Sequence, residues 1–102
     1  VQIYLGFLVL AIYLKRHWDE DWRGWGTSWW FFEVDDEGWV SRQITKYADG
    51  KTCCYDREYI EDELGGLAEK PLDVPDEAYI RLSVQDFEST WQASLPQSRR
   101  IK

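Results

Sequence analysis

Trp39-Val40-Ser41-Arg42-Gln43-Ile44-Thr45-Lys46-Tyr47 is the stretch that decides the fold. β-Branched and aromatic residues are interleaved in it with polar ones, the pattern of a strand with one covered face. Asp35-Asp36-Glu37-Gly38 turns the chain before it and Asp49-Gly50 turns it after. An Asp-Gly pair between such runs is a strong hairpin signal, because both central residues of a type I′ turn need φ above zero. The pattern therefore predicts two consecutive hairpins, with strands over residues 30–34, 39–47 and 51–55 in an antiparallel meander.

Working outward, residues 12–18 read as a further strand, with Ile12, Leu14, Arg16 and Trp18 on one face and Tyr13, Lys15 and His17 on the other. Residues 18–30 hold Gly24, Gly26 and Ser28 and read as a loop. Residues 59–64 suggest a short helical turn ended by Gly65-Gly66. Pro71 and Pro75 make an extended crossing, and residues 78–82 read as another strand or edge segment. Ser83 with Asp86 three positions on resembles a capping box, an N-terminal signal worth about 1 kcal/mol. The helix it opens runs to about residue 93 and places Val84, Phe87 and Trp91 on one stripe to meet the sheet. The expected architecture is a single α+β domain over residues 1–102: an antiparallel meander of about four strands with a C-terminal helix on one face. Residues 1–11 form an apolar N-terminal extension and residues 97–102 a basic, frayed tail.

The chain has 102 residues, enough for one self-sufficient core. Seven Trp, six Tyr and four Phe exceed what so small a core shelters. Each buried Trp removes about 150–250 Å² from water, or roughly 4–6 kcal/mol before entropy is charged against it. Some indoles are therefore expected at a surface, where aromatic anchors carry affinity. The formal charge of −7 disfavours nucleic acid and anionic membrane and favours a basic protein partner. Solubility alone is the plainer explanation of such a charge.

Residues 1–14 are nearly all apolar, yet shorter than the roughly 18–20 residues a membrane helix needs. A signal peptide is disfavoured by the missing basic n-region. Lys15, Arg16 and His17 would suit an anchor, but a strand is the better reading, and an exposed apolar segment of this kind suggests a homo-oligomer contact. The sequence holds no methionine, so its first residue is not expected to be the translated start. The adjacent Cys53 and Cys54 point to opposite sides of a strand and read as free thiols, which implies a reducing, cytoplasmic setting.

The order of several short elements resembles a group of small bacterial domains classed as a family of unknown function. Tyr13-Leu14-Lys15, Asp36-Glu37-Gly38-Trp39, Arg42-Gln43-Ile44 and Asp49-Gly50 carry the resemblance. Leu67-Ala68-Glu69-Lys70-Pro71 and Phe87-Glu88-Ser89-Thr90-Trp91 continue it. It spans about residues 12–92 and implies the same sheet-plus-helix fold, without catalytic residues. The apolar extension and the Trp-rich segment over residues 18–30 depart from it.

Little in the sequence suggests catalysis. His17 with Cys53 or Cys54 is a conceivable nucleophile–base pair, but no spacing supports it. Asp35, Asp36 and Glu37 are explained by the turn without a cation. No phosphate loop, nucleophile elbow or metal motif occurs, so neither cofactor nor metal is expected and the enzyme reading is poor. Two binding readings remain. The first is an acidic protein-interaction module of the immunity or antitoxin kind, which blocks a basic toxin such as a nuclease. Its surface would comprise Trp22 and Trp25 with Asp19, Glu20 and Asp21, steered by Glu58, Glu61, Asp62 and Glu63. Trp18, Trp29 and Trp30 are expected instead to cap the core. The second is a small-molecule or accessory domain with an aromatic pocket between sheet and helix, formed by Trp39, Tyr47 and Trp91, with Arg42 as a clamp. Arg42 equally suits a cross-strand pair with an acid such as Glu33.

Overall fold

The computed structural model describes residues 2–4, 7–9, 11–96 and 99, the first two segments as backbone only. Strands β1 (Gln2–Tyr4) and β2 (Phe7–Val9) pair as a small antiparallel ladder. The side chains of that apolar extension, and hence the expected subunit contact, lie outside the described residues. So does the tail over residues 97–102, apart from Arg99.

β3 (Ile12–Trp18), β4 (Ser28–Val34), β5 (Val40–Tyr47) and β6 (Thr52–Asp56) form the meander, and β9 (Ile80–Arg81) adds a fifth strand beside β3. The sheet order is β6-β5-β4-β3-β9, antiparallel throughout. With the C-terminal helix α1 (Val84–Ser94) this is an α+β fold.

Both hairpin turns share one construction, and it is not type I′. Gly50 N–H donates to Tyr47 O and Gly38 N–H donates to Asp35 O, each closing a four-residue turn. Only the glycine of each turn has positive φ, 101° at Gly50 and 89° at Gly38, while Asp49 and Glu37 stay right-handed. That is a type I turn followed by a glycine bulge, the three-residue hairpin loop, formed at Glu37-Gly38 as at Asp49-Gly50. A second irregularity lies between Glu33 and Val34, where Ser41 becomes the extra residue opposite them.

The helix begins where Ser83 Oγ accepts from Asp86 N–H at 3.0 Å, and Pro96 follows its end. Phe87, Trp91 and Leu95 bury themselves against Ile44 and Cys54, with Tyr13 and Phe31 beside them. Val84, expected on that stripe, is 43% exposed and takes no part in the helix-side core. Leu95 replaces it one turn beyond Trp91.

The opposite face of the sheet is covered by the irregular crossing after β6. There Leu14, Phe32, Val34 and Val40 meet Leu67, Leu72, Val74 and Tyr79. Gln43 pins the crossing from below: its buried side-chain amide donates to Gly66 O (3.1 Å) and accepts from Ala68 N–H (2.9 Å). The expected helical turn at residues 59–64 is instead a tight hairpin of β7 (Glu61–Asp62) and β8 (Gly65–Gly66). Asp62 decides this, since its Oδ1 accepts from Tyr55 OH at 2.7 Å and from the N–H groups of Leu64 and Gly65.

Candidate functional site

The Trp-rich loop between β3 and β4 is braced by the Asp21 carboxylate and by a backbone hydrogen bond of its own. Asp21 accepts from Gly24 N–H (3.1 Å) and Gly26 N–H (2.6 Å), and Trp25 N–H donates to Trp22 O (2.8 Å). Gly26 is required: at φ 87° a Cβ there would stand 2.8 Å from Ala48 Cβ. The loop then seats on the next turn, with Ala48 N–H donating to Thr27 O and Asp49 N–H to Trp25 O.

This frame separates the two indoles. Trp25 lies edge-on to Tyr47, 4.9 Å between centroids, with Lys51 5.0 Å from its ring, and so closes the end of the core. Trp22 stands 51% exposed, and the Arg23 guanidinium lies 5.3 Å from its ring. Of the indoles expected to cap the core, Trp30 does so, but Trp18 is 42% and Trp29 37% exposed. They sit at the loop end of β3 and β4, Trp29 opposite His17 on the helix side and Trp18 opposite Ser28 on the other face.

The hairpin β7–β8 reaches the same region. Leu64 at its tip joins the cluster of Tyr47, Cys53, Tyr55 and Trp25, and Gly66 borders the same cavity as Trp22. The exposed Glu61 and Glu63 therefore stand on the same side of the sheet as the Trp loop, with exposed Asp19 and Glu20 leading into that loop. Glu58 is elsewhere, in the turn beyond the far end of β6. Asp21 and Asp62 serve as internal hydrogen-bond acceptors. Burial raises the Asp62 carboxyl, but hydrogen bonds from Tyr55, Leu64, Gly65 and Tyr59 outweigh it and hold the group below the usual aspartate range.

The four residues of the sheet–helix pocket do not converge. Trp91 and Arg42 meet on the helix face, with the guanidinium 5.3 Å from the indole. Tyr47 belongs to the opposite face, and Trp39 lies 43% exposed beside Val40, Ile60 and Leu67. Arg42 is committed to Glu33 and Glu88. His17 pairs with Asp19 at 2.7 Å on β3, whereas both cysteines are on β6, three strand spacings or about 14 Å away. Asp35 Oδ1 accepts from the N–H groups of Glu37 and Trp39, as a turn aspartate does. Among the described residues no group of three or more His, Cys, Asp or Glu is placed to hold a metal ion.

A feature absent from the sequence reading is an apolar cavity of 410 Å³ on the face opposite the helix, between Trp18, Trp22, Trp30, Phe32 and Tyr79, with Arg16 at its wall. The shared face of Arg16 and Trp18 was legible from strand alternation. The crossing segment that closes the cavity was not. Among the described residues no helix is long and apolar enough to cross a membrane. No protein-family model, curated protein or solved structure matches this chain.

Proposed function

We propose that this domain is an acidic protein-interaction module of the bacterial immunity or antitoxin kind, which binds a basic, nuclease-like partner and neutralises it by filling the cationic cleft. The observation that carries the reading is Trp22: a half-exposed indole on a loop fixed by Asp21, on the side of the sheet that also displays Glu61 and Glu63. A rigid aromatic anchor loses little side-chain entropy on docking. The net charge of −7 accelerates encounter with a cationic partner. Trp25 and Asp62 support this surface from beneath, and Asp19 and Glu20 extend its charge along the loop. The reading assigns the chain no reaction and no cofactor. The test is to mix the protein with the basic nuclease domains encoded beside its gene. Stoichiometric inhibition of one of them is expected, and failure to bind or inhibit any of them removes the proposal.

A further inference from the structure

We infer that the cavity opposite the helix is a binding site for a small, flat, apolar molecule carrying one anionic group, with Arg16 as its counter-ion. The volume, 410 Å³, lies within the range of small-molecule sites. The walls are mainly rings: Trp18, Trp22, Trp30, Phe32 and Tyr79. The buried polar groups at its floor are already engaged. Gln43 has both ends of its amide bonded to the backbone at Gly66 and Ala68, and Ser28 Oγ accepts from Trp30 Nε1 at 2.8 Å. The remaining charged lining group is Arg16.

Its guanidinium is stacked between two of those rings, 4.8 Å from the Trp18 centroid and 5.1 Å from that of Tyr79. Stacking fixes the plane and leaves the in-plane N–H edge to meet a ligand. Among the described residues its acidic partner is Asp76, at 3.6 Å. Arg42, in contrast, holds Glu33 through two hydrogen bonds of 2.9 and 2.6 Å. Arg42 is thus saturated, and Arg16 is pre-oriented but loosely held. A carboxylate entering between the rings gains a forked, charge-assisted pair at the edge of an apolar wall, where such pairs are strongest. The inference does not rest on the partner reading, since the site needs only residues of this chain.

The test uses 1-naphthylacetate and its uncharged counterpart 1-naphthylacetamide, followed by calorimetry and tryptophan fluorescence on the full chain. The acid should bind one-to-one with a Kd of about 1 mM or tighter, and the amide at least about tenfold more weakly. Arg16→Gln should bring the acid down to the level of the amide. Ala68→Leu, which adds bulk at a residue lining the cavity, should abolish both, with circular dichroism confirming that each variant is folded. Equal binding of the two probes, or acid binding unchanged in Arg16→Gln, overturns the assigned charge preference. Absence of binding by the acid and the amide alike overturns the site, as does a dimer, seen by light scattering, that excludes them.

Discussion

Glu33 and Arg42 face each other in direct register across β4 and β5, and the guanidinium takes both carboxylate oxygens, Nε to Oε1 at 2.9 Å and Nη2 to Oε2 at 2.6 Å. Ser41 and Tyr13 add hydrogen bonds to the same carboxylate, and Glu88 reaches Arg42 from the helix. Two ion pairs that share Arg42 therefore tie two strands and α1 together over the rings of Phe87 and Trp91. Burial raises the Glu33 carboxyl, but the hydrogen bonds of Arg42 and Ser41 and the charge of Arg42 outweigh it and hold the group below the ordinary glutamate value of 4.5. A folded value below the unfolded one means stability that is complete above pH 4.5 and lost as pH falls through the folded value. Urea denaturation should show this loss in the native protein and a shallower one in Glu33→Gln. At neutral pH the same variant should cost about 2–3 kcal/mol, because it leaves Arg42 under-compensated in a half-buried site.

Gly38 and Gly50 occupy equivalent turn positions, yet they differ in what surrounds them. A Cβ at Gly38 would stand 2.7 Å from Leu72 O, whereas nothing lies within 4 Å of one at Gly50. Both substitutions by Ala incur the positive-φ cost of about 1–2 kcal/mol. Gly38→Ala must in addition displace the crossing segment, whose Leu72 N–H bonds to Gly38 O. It should be at least about 1 kcal/mol worse than Gly50→Ala by thermal or urea unfolding.

Gln43 is the buried link between sheet and crossing. Gln43→Leu keeps the volume but orphans Gly66 O and Ala68 N–H, at a cost of about 2–4 kcal/mol in total. Hydrogen exchange should show lost protection at the Ala68 amide in this variant, beyond what Ser83→Ala causes at the helix start.

The thiols of Cys53 and Cys54 are free and buried on opposite faces of β6. Burial raises both, that of Cys54 to about 11. At pH 8 the folded protein should react with a thiol reagent far more slowly than the unfolded chain, in which two thiols per chain titrate at once.

The meander, the fifth strand and the helix were legible because period-two alternation, turn glycines and a Ser cap act over a few residues. The turn subtype was not, since Asp-Gly serves both geometries and the flanking strand ends choose between them. Residues 59–64 misled because the group that shapes them, the Tyr55 hydroxyl on Asp62, belongs to another element. Arg99 shows the same limit: read as part of a frayed tail, it returns to β6, donating to Cys54 O at 2.7 Å and lying 3.9 Å from the Tyr59 ring. Candidate anchors were identifiable by type, but their exposure depends on what covers each face of the sheet, the crossing segment on the side of Trp18 and α1 on the side of Trp29. That leaves Trp18 and Trp29 open and Trp91 closed.

The central claim is that Trp22 anchors a basic partner on an acidic surface. It is tested most directly by calorimetric titration of the native chain and Trp22→Ala against any basic nuclease domain found encoded beside the gene, at low and high salt. The account predicts a one-to-one complex that weakens with salt and loses at least about tenfold in affinity in the variant, or about 1.4 kcal/mol. No complex, or one indifferent to both Trp22→Ala and salt, would contradict it.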